Sequence, residues 1–156
     1  MIKIRLVCVG NIKEKYFNDA IQEYTKRISK YFNLEIIELP ESKKVKSSDA
    51  DIPIILKDEA KNILPKLAGC VCSLCINGRS LSSEQFAEFI DNQSLINSTI
   101  TFVIGGSYGL DSSVLKASHY TLSYSKMTFP HKLMRVIFLE SLYRAGSILN
   151  NSPYHK

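Results

Sequence analysis

The last 31 residues of the chain concentrate the side chains best suited to contact RNA. From Lys126 onward there are five lysines and arginines, among them Arg135 and Arg144, against one acid. Aromatic residues such as Tyr154 are interleaved with them, and His131 and His155 lie in the same region. Cations bind phosphates and aromatic rings stack on bases, so this pattern favours nucleic-acid binding. The alternative is a solvated helix face followed by a disordered tail.

A glycine-rich loop is the second candidate for chemistry. Gly105, Gly106 and Gly109 follow a strand-like run and precede a short helix, which is where α/β folds bind ligands. The loop does not match the G-x-G-x-x-G dinucleotide pattern, because such a run ending at Gly109 would need glycine in place of Ile104. A nicotinamide cofactor is therefore disfavoured. The alternative is that the glycines serve only a tight exit from the strand.

Three cysteines have spacing that invites a zinc hypothesis. Cys70, Cys72 and Cys75 form a C-x-C-x-x-C cluster. On a strand the first two point to one face and Cys75 to the other, so the thiolates do not converge and no metal is expected. The sequence also has no G-x-S-x-G motif and no paired carboxylates, so hydrolysis is not supported.

The elements that must position these residues alternate between strands and helices. Hydrophobic patterns predict strands at 2–9, 34–39, 71–76, 99–104 and 120–124. They predict helices at 14–32, 54–64, 111–117 and 130–149, and another after the capping box of Ser82 and Gln85. The polar segment 41–51 is predicted to be a mobile surface loop. This alternation indicates an α/β fold with a mostly parallel sheet and helices on both faces.

The final helix is apolar almost all round from Leu133 to Tyr143. One sheet face cannot cover such a helix, so a homodimer that shares it is expected. The alternative is burial between the sheet and another helix of the same chain.

Length and composition set the remaining bounds. A chain of 156 residues is expected to form a single domain over residues 1–156. Hydrophobic residues make up 45% and charged residues 22%, which excludes a wholly disordered chain. The net charge of +5 is mildly basic. There is no signal-peptide pattern and no long apolar run, and four cysteines are too few for a disulfide scaffold, so a cytoplasmic location without membrane contact is expected.

Four segments together resemble the RlmH family. They are residues 9–16 (VGNIKEKY), 103–110 (VIGGSYGL), 122–131 (LSYSKMTFPH) and 153–156 (PYHK), and the resemblance runs end to end in the expected order and spacing. Members of that family are bacterial SPOUT-class methyltransferases. They methylate ring nitrogen 3 of a pseudouridine in large-subunit ribosomal RNA with S-adenosylmethionine (SAM).

The resemblance implies a deep trefoil knot threaded from about Gly105 onward, and a homodimer whose paired knots form the active sites. It also implies cofactor contacts that are largely through the backbone. The missing side chain of Gly105 would let the cofactor approach the chain closely. The implied cofactor residues are Leu74, Gly105, Tyr124, Ser125, Lys126, Met127, Thr128 and Phe129.

Catalysis by such an enzyme requires the target nitrogen to lose its proton. His131 is a candidate base, and Arg135, Arg144 and the tail residues Tyr154 and His155 are candidates to stabilise the resulting anion. The resemblance places this tail beside the cofactor site. The small net charge fits a substrate presented by the assembled ribosome. The alternative function is a non-catalytic ribosome-binding or assembly factor, which would not need the cofactor.

Overall fold

The computed structural model describes residues 1–156 as a five-stranded parallel sheet with helices on both faces, which confirms the predicted fold class. The strands are β1 (Ile2–Val9), β2 (Phe32–Leu39), β3 (Cys70–Ser80), β4 (Thr99–Ile104) and β5 (Tyr120–Ser123). Their order across the sheet is β2-β1-β4-β3-β5, and every neighbouring pair is parallel. The helices are α1 (Lys15–Ile28), α2 (Ile52–Ile63), α3 (Ser83–Ser94), α4 (Ser112–Ala117) and α5 (His131–Leu149).

Two hydrophobic cores lie on opposite faces of the sheet. Successive residues of a strand point to opposite faces, so β1 contributes Ile4 and Leu6 to one core and Val7 and Val9 to the other. The larger core is covered by α1, α3 and α5, and the smaller one by α2 and α4. Both faces of the central strands are thereby buried, as parallel sheets require.

Some predicted boundaries differ from the structure because tertiary contacts decide them. The first helix ends at Ile28 rather than at residue 32, because Phe32 begins β2 and is buried in the larger core. The predicted 54–64 helix begins two residues earlier, at Ile52, and a short 3₁₀ turn from Leu64 to Lys66 follows it. The capping box of Ser82 and Gln85 is present at the start of α3.

The third strand is longer than predicted and is interrupted by an irregularity. Leu74 and Arg79 both pair with Leu122 of β5, so the residues between them bulge out of the ladder. A Cβ on Gly78 would lie 2.7 Å from the backbone of Leu122, so only glycine fits where β3 returns to β5. The bulge brings Cys75 and Ile76 to the carboxyl edge of the sheet.

The segment 41–51 is exposed, as predicted, but it is anchored by hydrogen bonds. The Asp51 carboxylate accepts hydrogen bonds from the Ser47 amide at 2.8 Å, the Ser47 hydroxyl at 2.7 Å and the Ser48 amide at 3.1 Å. The Ser42 amide donates to the Glu59 carboxylate of α2 at 3.0 Å. These bonds fix both ends of a segment whose composition alone predicts mobility.

Candidate functional site

The principal cavity of the protein lies at the carboxyl ends of β3, β4 and β5. Its volume is about 610 Å³, which is within the range of small-molecule sites. Three stretches of chain form its walls, namely 74–76 after β3, 104–110 after β4, and 122–131 between β5 and α5, with Met134 of α5 added. This is the end of a parallel sheet at which α/β proteins bind ligands.

The glycine loop is shaped by contacts within itself. A Cβ on Gly105 would lie 2.3 Å from the carbonyl oxygen of Gly109, so any side chain there forces the loop open. Gly109 has φ +89°, a conformation that glycine adopts without strain, and its amide donates to the Gly106 carbonyl at 3.2 Å. The loop's own backbone therefore requires glycine at position 105, and the close approach of a cofactor there stays a prediction.

Seven of the eight residues named as cofactor contacts line this cavity. The eighth, Lys126, is exposed and does not line it. The seven come from three separate segments that the fold brings together, and they are Leu74, Gly105, Tyr124, Ser125, Met127, Thr128 and Phe129. Their role as ligand contacts stays a prediction.

His131 is the candidate catalytic residue that lies in the cavity wall. It begins α5, and its Nε2 atom is buried without a hydrogen-bond partner. The nearest acid is Glu41, whose Oε1 lies 3.5 Å from His131 Nε2. Burial lowers the pKa of His131, and the nearby cations Arg135 and Lys132 lower it further, against the raising effect of Glu41 and Glu14. The imidazole is therefore neutral near pH 7 and able to accept a proton.

Arg135 lies one turn further along α5 but does not reach the cavity. It is 2% exposed, and its guanidinium donates to Glu38 of β2 at 2.5 Å and to the Gly10 carbonyl after β1 at 2.8 Å. These bonds hold the start of α5 against the ends of β1 and β2. The structure thus places Arg135 beneath the site, where it positions α5 rather than facing a substrate.

The other three candidate residues form a network on α5 and α3. The Glu140 carboxylate accepts hydrogen bonds from Arg144 Nη2 at 2.5 Å and from the Tyr154 hydroxyl at 3.0 Å. Arg144 Nη1 donates a hydrogen bond to His155 Nδ1 at 3.2 Å. A neutral His155 then carries its proton on Nε2, which donates to the Glu84 carboxylate at 2.7 Å. Arg144 also stacks over the Tyr154 ring, 4.8 Å from its centroid. We refer to these contacts as the tail network.

The tail network is ordered on its own chain, contrary to the alternative of a disordered tail. Its residues do not line the principal cavity, so a single chain does not bring Arg144, Tyr154 and His155 together with His131. Sequence reasoning missed Glu140 and Glu84, which hold the network. The spacing of Glu140 and Arg144, four residues apart on a helix, was the available signal for one of them.

The cysteines and the remaining histidine have other positions. Cys70 and Cys72 are buried in the larger core, whereas Cys75 lines the principal cavity. The Val71 amide donates to His119 Nδ1 at 3.0 Å, which ties His119 to the edge of β3. The structure has no group of three or more His, Cys, Asp or Glu side chains arranged to hold a metal ion. None of its helices has the length and apolar character needed to cross a membrane.

The final helix is covered largely by its own chain. Phe138, Leu139, Leu142 and Ala145 are buried between the sheet, α1 and α3, which is the arrangement given above as the alternative to a shared helix. The first half of α5 differs, because Leu133 is 37% exposed and Val136 and Ile137 are half-buried. An apolar strip beside the cavity therefore remains available for a partner.

Comparison with known proteins places this arrangement among methyltransferases. The family described as "Predicted SPOUT methyltransferase" matches residues 2–155. The chain is similar to "Ribosomal RNA large subunit methyltransferase H 1" of Clostridium perfringens, with 46% identity over 99% of this chain and 100% of that protein. It is equally similar, by identity and coverage, to "Ribosomal RNA large subunit methyltransferase H" of Clostridium botulinum.

Two solved structures share the fold at low sequence identity. A protein from Haemophilus influenzae, described as a methylase family member, aligns with a TM-score of 0.52 and 17% identity over 99% of this chain and 70% of its own. A protein from Legionella pneumophila, described as a methyltransferase in complex with bound SAM, aligns with a TM-score of 0.53 and 10% identity over 92% of this chain and 66% of its own. The carboxyl-end cavity thus lies in a fold that methyltransferases use.

Proposed function

Because the chain belongs to the SPOUT methyltransferase family, and within it to the RlmH group, we propose that it methylates ring nitrogen 3 of a pseudouridine in large-subunit ribosomal RNA. The substrate is the RNA within the assembled ribosome, and the methyl donor is SAM. The observation that carries the proposal is the full-length similarity to ribosomal RNA methyltransferases, combined with a cavity lined by seven of the eight expected cofactor contacts. Membership of the family also implies a trefoil knot in the chain after Gly105.

The residues of the principal cavity fit SAM in size and in chemistry. A volume of about 610 Å³ suits a ligand of that size, and Leu74, Ile104 and Leu122 give it an apolar wall for a flat ring. The main chain of the glycine loop and of residues 124–129 supplies polar groups. The wall contains one histidine, His131, and no lysine, arginine, aspartate or glutamate. When bound, SAM supplies a methyl group activated by its sulfonium charge.

His131 is the group of this chain assigned to the proton of the target nitrogen. It lies in the cavity wall, and burial lowers its pKa so that it is neutral near pH 7. Its Nε2 atom is buried 3.5 Å from Glu41, so Nδ1 is the ring nitrogen assigned to the target proton. A neutral imidazole accepts the imide proton. The methyl group that the nitrogen gains would come from SAM, whose methyl–sulfur bond would break to leave a neutral thioether. Arg135 positions His131 indirectly, because its bonds to Glu38 and Gly10 fix the first turn of α5.

The tail network is assigned to the RNA. Arg144, Tyr154 and His155 combine a cation, an aromatic ring and an imidazole at the surface, and Lys156 adds a second cation at the end of the chain. Such groups bind phosphates and stack on exposed bases. Because substrate binding here depends on shape and position, loss of the network reduces turnover more than it reduces cofactor affinity.

A homodimer completes the proposed site, and the enzyme acts in the cytoplasm. The support is the apolar strip of Leu133, Val136 and Ile137, together with Met127, which lines the cavity and is 73% exposed. Two such strips packed together would bring two cavities close to each other. Sedimentation equilibrium at micromolar concentration should give twice the chain mass of 17.6 kDa, whereas a monomer there would remove the shared site.

Two measurements test the proposed function in sequence. Isothermal titration should show SAM binding to the free protein. Tritiated methyl transfer should then label ribosomes that lack the modification, and it should label separated large subunits less. Binding of SAM without transfer to any ribosomal substrate would contradict the proposal, and absence of both would favour the non-catalytic assembly factor.

A further inference from the structure

One carboxylate faces the buried ring nitrogen of His131. The Oε1 atom of Glu41 lies 3.5 Å from His131 Nε2, which is buried and has no hydrogen-bond partner. A separation of 3.5 Å is longer than a hydrogen bond, so the two groups are within ion-pair range without being bonded in the free chain. Catalytic hydrogen bonds are often long before the substrate binds and shorten in the complex. The contact therefore marks a pair that can close when His131 gains a charge.

The main chain on either side of Glu41 is fixed by hydrogen bonds. The Gly10 amide donates to the Leu39 carbonyl at 2.7 Å, just beyond the last paired residues of β1 and β2. The Ser42 amide donates to the Glu59 carboxylate of α2 at 3.0 Å. Glu41 lies between these two anchors, so the fold brings it to the start of α5.

Gly10 leaves open the space in which the carboxylate and the imidazole meet. A Cβ on Gly10 would lie 3.0 Å from Glu41 Oε1 and 3.4 Å from His131 Nε2. Gly10 also has φ +94°, a conformation that favours glycine. A side chain at this turn after β1 would press against both groups, so glycine there keeps their approach unobstructed.

Four charged side chains influence the pKa of His131. Arg135 and Lys132 lie beside it on α5, Glu14 directly precedes α1, and Glu41 follows β2. Lys132 and Glu14 pair with each other at 3.0 Å, and Arg135 is held by β2. Glu41 has no ion-pair partner except His131. It also has the largest effect of the four on the pKa of His131, and that effect is to raise it.

We propose that Glu41 is a positioning residue for His131 in methyl transfer, because it keeps the ring proton on Nε2 and leaves the lone pair of Nδ1 free for the target proton. The inference rests on the proposed function and adds the group that fixes the state of its base. An ionised carboxylate only accepts hydrogen bonds, so it favours the tautomer that carries Nε2–H. His131 lines the principal cavity while its Nε2 is buried, which leaves Nδ1 for the cavity side.

The proton transfer itself also favours a carboxylate at this position. The N–H bond of the target breaks, its proton goes to Nδ1 of His131, and its electron pair stays on the target nitrogen, which bonds the methyl carbon. The ring is then an imidazolium with a proton on each nitrogen. Its Nε2–H is attracted to Glu41 more strongly than that of the neutral ring. Because the Glu41 side chain is half exposed, solvent screens this attraction and keeps its effect moderate.

The tautomer of His131 tests the inference without any RNA. Long-range ¹H–¹⁵N spectra of the purified protein distinguish a protonated from a bare ring nitrogen, and His131→Asn identifies the signal among the three histidines. In the neutral ring of the wild type, the proton should be on Nε2. Glu41→Gln should give a mixture of tautomers, because a carboxamide accepts from Nε2–H or donates to a bare Nε2. The pKa of His131 should also fall in Glu41→Gln, since Glu41 raises it.

Kinetics test whether the pair contributes to turnover. Glu41→Gln should lower kcat for ribosomes roughly 10- to 100-fold, which is part of the contribution of a general base. It should also move the acidic limb of the pH–rate profile to lower pH, in step with the lower pKa of His131. Affinity for SAM should stay at the wild-type value by titration, because Glu41 does not line the principal cavity. Glu41→Asp keeps the charge with a shorter reach and should recover part of the lost kcat.

Two further variants separate positioning of the ring from a loosened helix. Glu14→Gln breaks the ion pair with Lys132 at the same turn of α5, and Glu14 has the smallest effect of the four charges on the pKa of His131. This variant should therefore keep the proton on Nε2 and shift the pH–rate profile little. Glu88→Gln removes an exposed acid of α3 and should match the wild type in every measurement.

The outcomes separate this inference from the proposed function. A wild-type proton on Nδ1 would overturn the pairing whether or not the protein methylates RNA, and so would an unchanged tautomer and pKa in Glu41→Gln. A changed tautomer in Glu41→Gln with wild-type kcat and an unmoved pH–rate profile would overturn the role in catalysis. Lack of methyl transfer by the wild type would refute the proposed function and the role of Glu41 in it, while the spectra would still decide the pairing.

Discussion

Replacing Glu140 with glutamine should release the C-terminal tail while the rest of the fold stays intact. The Glu140 carboxylate accepts hydrogen bonds from Arg144 at 2.5 and 3.1 Å and from the Tyr154 hydroxyl at 3.0 Å. Glu140 and Arg144 are only 26% and 29% exposed, so solvent screens this pair less than a surface ion pair. A glutamine oxygen still accepts hydrogen bonds, but it lacks the negative charge that strengthens the three bonds to Glu140.

The size of the effect follows mainly from the Tyr154 bond, because Arg144 lies on α5 with Glu140 and only Tyr154 joins Glu140 directly to the tail. A hydrogen bond to a charged group contributes about 1.5–3 kcal/mol and a neutral one about 1 kcal/mol, so Glu140→Gln should cost about 1–2 kcal/mol of tail docking. That corresponds to roughly a 5- to 30-fold rise in the ratio of undocked to docked tail. Carboxypeptidase cleaves the undocked tail, so its rate should rise by the same factor. Mass spectrometry of the shortened chain gives this rate.

A matched variant shows whether the effect belongs to the tail. Glu23→Gln breaks a similar i,i+4 pair with Arg27 on α1, where both side chains are more exposed, and should leave the cleavage rate unchanged. Methyl transfer by Glu140→Gln should fall in proportion to the docked fraction, with SAM affinity little changed. Wild-type cleavage and wild-type transfer in Glu140→Gln would refute the account of the tail network.

Three further predictions concern other parts of the molecule. His131→Asn should lower kcat by roughly 10²–10⁴-fold. Wild-type activity should persist below pH 6.5, because burial lowers the pKa of His131 and the neutral imidazole is lost only at more acidic pH. A pH–rate profile of both proteins checks these expectations. Hydrogen bonds from Ser47 and Ser48 lower the pKa of Asp51 to about 2, so Asp51→Asn should lower Tm at pH 7. In thermal scans, the difference in Tm between this variant and wild type should disappear as pH falls from about 4 to 2, because the wild-type carboxylate becomes protonated. Iodoacetamide should alkylate Cys75 first, because the other three thiols are buried with raised pKa values, and SAM should slow that reaction; equal labelling with and without SAM would remove Cys75 from the ligand site.

The sequence predicts the elements of this fold better than their ends. Apolar residues at helical or strand spacing mark each element, because burial on one face requires that spacing. Phe32 shows the limit, since its place in the helical pattern is overridden by its burial at the start of β2. The second half of β3 was missed for a related reason, because it depends on renewed pairing with β5 beyond a bulge. A knot depends on the path of the whole chain, so local patterns do not indicate it.

The candidate site shows the same division between local and long-range information. The segments 104–110 and 122–131 are identified by their own residues, and the fold brings them to one cavity. The state of each side chain depends on residues far away in sequence. Arg135 is fixed by Glu38, nearly 100 residues earlier, and His155 by Glu84 on another helix. Charge counts alone treat these side chains as free, and the folded chain shows them paired.

The most direct test of the central claim is to identify the methylated atom. Ribosomes that lack the modification are incubated with the protein and SAM carrying a deuterated methyl group, and the large-subunit RNA is digested and mapped by mass spectrometry. We predict one labelled nucleotide, a pseudouridine that carries the label on ring nitrogen 3. A label on a ribose oxygen, on a carbon atom or on another base would contradict the claim, as would unlabelled RNA from a reaction in which the protein binds SAM.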